Sequence, residues 1–137
     1  MAIGRTDEEL ILIDTHVWIW SFEPRPRLDR EFLRLIERSY GKLVISAASL
    51  WEVSMLVSKK RIDLGYPLQQ WFELATSGLG ILTLPLSAEV AREAYELPGK
   101  FHEDPADRLI VATARIHNCL LLTEYSKIRK YPHVKVA

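Results

Sequence analysis

Four short apolar runs, separated by segments with helical spacing, set the strongest limit on what this chain can fold into. They are Leu10-Ile11-Leu12-Ile13, Leu43-Val44-Ile45, Ile81 to Leu84 and Cys119 to Leu122. Short β-rich runs without regular polar alternation read as buried strands. Between them lie helix signals. His16 to Ser21 follows the first run, and Leu28, Phe32, Leu35 and Ile36 recur at helical spacing in a segment from Leu28 to Tyr40 that Gly41 stops. Pro24 and Pro26 break the chain before it. Ser46 caps a helix to about Lys60, Pro67 opens one to about Ser77, and Ser87 caps one through Tyr95. The last long helix runs from Asp104 to about His117, and Val134 to Val136 reads as a terminal edge strand. Strands alternating with helices predict an α/β fold with a mainly parallel sheet and right-handed crossovers.

The chain has 137 residues, enough for one domain (residues 1–137) and too few for two ordinary ones. Neither a repeat nor a linker interrupts it. Eighteen basic residues balance 18 acidic ones. That balance argues against a surface coated in positive charge for indiscriminate nucleic-acid binding. Local basic rims remain open: Arg25, Arg27 and Arg30, then Lys127, Arg129 and Lys130. Lys59-Lys60-Arg61 reads instead as a helix C-terminus, where the dipole favours cations. A single cysteine, Cys119, excludes an internal disulfide and a thiolate zinc cage, and its place in an apolar run makes it a core residue. The apolar runs are too short to span a membrane and Met1 to Glu9 is polar, so a cytoplasmic protein is expected.

The chemistry lies in the acids. Ligands of open parallel sheets bind beyond the carboxyl ends of the strands. Asp14 stands at such an end, and Glu52 lies in the helix after the second strand, flanked by Trp51 and Val53. Asp104 and Asp107 open the helix that leads to the fourth strand, and Glu124 follows that strand. Each acid has a plain structural role open to it. Asp14 and Asp104 can cap helices, Asp107 can favour a helix dipole, and Glu124 can be a solvated loop residue. Taken together, carboxylates converging without basic partners repel one another, and a hard cation such as Mg²⁺ or Mn²⁺ relieves that repulsion. His16 and His102 flank the region as candidate bases, phosphate contacts or hydrogen-bonded structural groups. No glycine-rich phosphate loop follows any strand, which removes the main support for a nucleotide-binding site. A phosphorylated-aspartate domain lacks its acidic pair at Asp14, and a dehalogenase-type domain lacks its second aspartate where His16 stands.

Ile13-Asp14-Thr15-His16-Val17-Trp18-Ile19-Trp20, Ser49-Leu50-Trp51-Glu52-Val53, His102-Glu103-Asp104-Pro105-Ala106-Asp107-Arg108 and Leu121-Leu122-Thr123, in this order, resemble the PIN-domain ribonucleases. The group they most resemble is the VapC-type toxins of bacterial toxin–antitoxin pairs. The resemblance implies a three-layer α/β/α sandwich and Mg²⁺- or Mn²⁺-dependent endonucleolytic cleavage of RNA to 5′-phosphate and 3′-hydroxyl ends. It also implies homodimerisation and a small antitoxin partner. By motif match, Asp14, Glu52 and Asp107 take the places of the core acids and hold the metal, with Asp104 an accessory acid in the catalytic set. Thr15 or Thr123 then orients a ligand, and Arg108 meets phosphate or pairs with a neighbouring acid. Members commonly carry a further aspartate two residues after the threonine of the fourth block. Here that position is Tyr125, with Glu124 beside it and Asp104 as the nearest other acid. The alternative that follows is a catalytically weak module acting through antitoxin or RNA binding. Large apolar groups around Trp51, Met55, Trp71 and Phe72 exceed what one small core absorbs, which supports a dimer.

Overall fold

A computed structural model describes residues 9–23 and 27–137. Pro24, Arg25, Pro26 and Met1 to Glu8, on which some sequence expectations fall, lie outside them. Among the described residues the four apolar runs form β1 (Ile11–Ile13), β2 (Leu43–Ser46), β3 (Leu82–Leu84) and β4 (Leu120–Leu122). Seven α-helices accompany them: α1 (Thr15–Ser21), α2 (Arg30–Arg38), α3 (Ala47–Ser58), α4 (Leu68–Ala75), α5 (Ala88–Glu93), α6 (Pro105–Ile116) and α7 (Ser126–Arg129). No described helix is long and apolar enough to cross a membrane.

The sheet is parallel throughout, in the order β3-β2-β1-β4. Leu12 pairs with Val44 on one side and Leu121 on the other. Alternate residues face opposite layers. Ile11, Ile13, Leu43, Ile45 and Leu122 pack with Trp18 of α1, Val53 and Leu56 of α3, and Trp71 and Ala75 of α4. Leu12, Val44 and Leu121 pack with Ile110, Val111 and Ala114 of α6 and Ile128 of α7. Helix α5 lies on α6 through Val90, Ala94 and Ala112. The result is the expected α/β/α sandwich. Each fully buried Leu, Ile or Val in these layers contributes about 1.5–3 kcal/mol.

Several expected boundaries shift for identifiable reasons. The Asp29 carboxylate accepts from Glu31 N (2.9 Å), so α2 begins at Arg30 rather than Leu28. Helix α4 ends at Ala75, where the Thr76 and Ser77 hydroxyls donate to the carbonyls of Phe72 and Glu73 in its last turns. Helix α5 stops at Glu93, and Arg108 captures the carbonyl of Ala94 just beyond it. The terminal edge strand reduces to one parallel bridge, Leu121 to Val136, because Pro132 and His133 still turn and only Lys135 to Ala137 bond along β4. Trp71 is not surplus apolar surface. Its ring meets Trp18 edge-on at 4.8 Å in the core, whereas Trp51 stays 59% exposed.

This topology sets one place apart. From β1 the chain moves to β2 and then β3 on one side, while β4 lies on the other. The order therefore reverses between β1 and β4, and a crevice opens there at the carboxyl ends of the strands. Asp14 follows β1 directly and Thr123 follows β4 directly.

Candidate active site

Asp14 caps α1 and also faces the crevice, so its two sequence readings hold together. Its Oδ1 accepts from Thr15 N (2.8 Å) and its Oδ2 from the Thr123 hydroxyl (2.6 Å). The carboxylate is buried, and burial pushes its pKa up against the opposing pull of those two donors. Thr123 also accepts from Tyr125 N (3.0 Å), which fixes the turn after β4. Beneath Asp14, the buried Thr15 and Ser49 hydroxyls share a 2.7 Å hydrogen bond that ties α1 to α3.

Ser46 caps α3 by accepting from Ala48 N (3.0 Å), which leaves Glu52 inside the helix rather than in a capping box. Glu52 is half-buried. Its pKa is raised first by burial and then by the charges of Asp14 and Asp107, with Thr15 and His16 opposing. Asp104 caps α6: its Oδ2 accepts from Asp107 N (2.9 Å), and Pro105 takes the first helical position. Asp107 turns inward. Burial raises its pKa, the bond from His102 lowers it, and Asp104 and Asp14 raise it again. The His102 Nε2 lies 2.7 Å from Asp107 Oδ2, and against an ionised carboxylate this nitrogen is the donor.

These groups meet in one cavity of about 480 Å³, lined by Asp14, His16, Val17, Trp20, Glu52, Asp104, Asp107, Glu124 and Tyr125. Among the described residues five carboxylates face it and neither lysine nor arginine does. Asp14, Glu52 and Asp107 each carry an upward pKa shift, as expected where burial desolvates a carboxylate. As the side chains stand, no three carboxylate or imidazole groups among the described residues are posed to ligate one ion together. The donor chemistry nevertheless suits a hard divalent cation. Mg²⁺ keeps several of its waters and needs only one or two direct carboxylates. Asp14, Asp107 and Glu52 could hold it, directly or through water.

Other expected roles fall differently. Among the described residues Arg108 pairs with no acid. It donates to the carbonyls of Ala94 (2.8 Å), Phe101 (2.9 Å) and His102 (2.9 Å), which stitches the loop before α6 into place. Arg129 is likewise spent on the carbonyls of Thr123 and Ala137, and Arg27 on Glu23. Lys59 ends α3, as its basic run predicts. Cys119 is buried, and burial pushes its thiol to about 11. Ser49 is a supporting residue that sequence reasoning missed. Its signal is a hydroxyl in the apolar stretch three residues before Glu52.

The PIN domain family matches residues 11–134 of the chain. Ribonuclease VapC22 of Mycobacterium tuberculosis (strain ATCC 25618 / H37Rv) is 36% identical over 124 residues, covering 90% of this chain and 92% of that protein. Among solved structures, VapBC2 from Rickettsia felis bound to a DNA fragment from their promoter matches with a TM-score of 0.70 at 19% identity, over 93% of this chain and 97% of that one. A toxin-antitoxin complex from Klebsiella pneumoniae matches with a TM-score of 0.65 at 21% identity, over 93% and 95%.

Proposed function

The chain belongs to the PIN domain family, and from that premise we propose that it is a VapC-type toxin, an endoribonuclease that depends on Mg²⁺ or Mn²⁺. The observation that carries this reading is the one cavity into which Asp14, Glu52, Asp104, Asp107 and Glu124 all face, with neither lysine nor arginine beside them among the described residues. Asp14, Asp107 and Glu52 would hold the cation. When bound, a divalent ion neutralises phosphate charge, acidifies water and favours in-line attack. The protein supplies position. Thr15 N and the Thr123 hydroxyl fix the plane of the Asp14 carboxylate, and His102 fixes that of Asp107. Water attacks phosphorus, the bond to the 3′ oxygen breaks, and that oxygen takes the proton. The products carry a 5′-phosphate and a 3′-hydroxyl.

By the same family reading the partners are an RNA substrate and a small antitoxin, the chain works as one domain in a homodimer, and it acts in the cytoplasm. The exposed Trp51 is apolar surface of the kind a protein interface covers. The test is cleavage of a structured RNA with Mg²⁺, Mn²⁺ or EDTA, beside Asp14→Asn. Cleavage is expected only with metal and only in the native chain. Cleavage in EDTA, or an undiminished variant, overturns the mechanism. An inert native chain that still binds RNA or antitoxin supports the binding-module reading instead.

A further inference from the structure

A second cavity, of about 310 Å³, is lined in part by His102, the residue that bonds Asp107 of the acidic one. Among the described residues its lining includes Lys100, Lys127 and Lys130, with Phe101, His102 and Tyr131, and no acid. Among the described residues none of the three lysines makes an ion pair. Lys127 and Lys130 stand three residues apart at α7, on one helical face, while the buried Ile128 anchors the helix. The aromatic floor is fixed. Phe101 packs on His102 (4.3 Å) and edge-on to Tyr131 (4.9 Å), the Tyr131 hydroxyl donates to Pro98 O (2.5 Å), and Arg108 holds the carbonyls of Phe101 and His102. His102 joins the two cavities. One edge bonds Asp107, its ring lines the lysine cavity, and Tyr125 of the acidic cavity meets it edge-on at 5.7 Å.

Three cations gathered without an acid repel one another, so the favoured occupant is an anion. Its continuity with the acidic cavity through His102 selects which anion. A polynucleotide with one phosphate among the acids must carry its neighbouring phosphates along an adjoining surface. We propose that Lys100, Lys127 and Lys130 form a subsite for a backbone phosphate of the RNA flanking the scissile one, with His102 as the partition between them. This rests on the ribonuclease reading. It narrows the basic rim expected from sequence to Lys127 and Lys130, adds Lys100, and leaves out Arg129.

The experiment compares two triple variants of equal charge change. One is Lys100→Ala, Lys127→Ala, Lys130→Ala. The other is Lys59→Ala, Lys60→Ala, Arg61→Ala, at the far end of α3. Binding of a single-stranded RNA oligonucleotide is followed by fluorescence anisotropy across a salt series, in an Asp14→Asn background that prevents cleavage. Cleavage kinetics are measured in the native background. The first triple is expected to weaken binding roughly tenfold at low salt and to flatten the log–log salt slope by about 0.7 for each phosphate no longer neutralised. KM rises correspondingly, with kcat within twofold. The remote triple leaves affinity and slope close to native. Equal losses in both triples, or no loss in the first while the native chain cleaves RNA, overturn the subsite. If the native chain fails to cleave but only the first triple loses affinity, the subsite stands and the nuclease reading falls.

Discussion

The acidic cavity has two walls built on different principles. One is made of strand ends: Asp14 after β1 and Thr123 after β4, backed by Thr15 and Ser49, all buried and hydrogen-bonded to each other or to backbone. The other is made of a helix start and a loop: Asp104, Asp107, His102 and Tyr125, all more exposed. On the first wall position comes from the sheet, whose register fixes Asp14 against Thr123. On the second it comes from side chains that catch the backbone, with Arg108 holding the His102 carbonyl while the His102 ring holds Asp107. A rigid acid thus faces adjustable ones. Such a pairing suits a ligand whose charge and coordination change during a reaction.

The largest effect is expected where burial is deepest. Asp14→Asn should lower cleavage by about 10³-fold, the order found when a group stabilising transition-state charge is lost. The same change should relieve the protein of a cost. The Asp14 pKa is raised above its ordinary 3.8, so the fold holds that proton more tightly than the unfolded chain does. The cost of ionised Asp14 is absent below the ordinary value, grows as pH rises through the folded value, and is constant above it. The thermal midpoint of Asp14→Asn relative to the native chain, both free of metal, should therefore climb from pH 4 to pH 8. Asp107→Asn should show the same sign with a smaller rise, because Asp107 is less buried and His102 partly offsets its burial. A difference that is flat in pH for both variants would break the contrast in burial between the walls.

Intermediate effects separate the two kinds of support. Thr123→Val keeps the shape but removes the donor to Asp14 Oδ2 and the acceptor for Tyr125 N. Loss of such a supporting partner typically costs 10–100-fold in metal affinity or activity. It also leaves buried polar groups unpaired, at about 1–3 kcal/mol. His102→Gln retains a donor within reach of Asp107, so less than a tenfold loss is expected, with His102→Ala falling nearer the upper range. Urea unfolding together with the Mn²⁺ concentration giving half-maximal cleavage reads both quantities. Equal losses in Thr123→Val and His102→Gln would mean the strand-end wall is no more rigid than the loop wall.

The strand-end wall was largely legible in the sequence, because an apolar run closed by an acid marks both a parallel strand and its carboxyl end. Ser46 was legible as a cap for the same reason: it directly follows the apolar run Leu43-Val44-Ile45, and Glu52 could then be placed inside the helix. The bond between Thr123 and Asp14 spans 109 positions and depends on β1 and β4 being neighbours, which strand order alone decides. The loop wall was less legible. His102 and Asp107 are five residues apart, and they meet because Arg108 gathers the carbonyls of Ala94, Phe101 and His102. Nothing in local spacing announces an arginine spent on backbone, so a phosphate or an acid was the expected partner. The apolar excess assigned to Trp71 failed similarly, because the indole of Trp18 bonds to Ala75 O and draws α4 over the core.

The smallest effect tests whether Asp104 belongs to the wall or only to the helix. Its Oδ2 caps α6, and serine caps a helix nearly as well as aspartate does. Asp104→Ser should keep native stability, whereas Asp104→Ala should lose about 1 kcal/mol of capping. If the charge matters to the cavity, both variants lose activity equally. The loss should be roughly fivefold, equivalent to the ~1 kcal/mol that two unit charges exchange at about 4 Å in water. Stability and activity then part company: one follows the hydrogen bond, the other the charge. A fully active Asp104→Ser would reduce Asp104 to a cap, leaving Glu124 as the remaining acid in the cavity beside Asp14, Glu52 and Asp107.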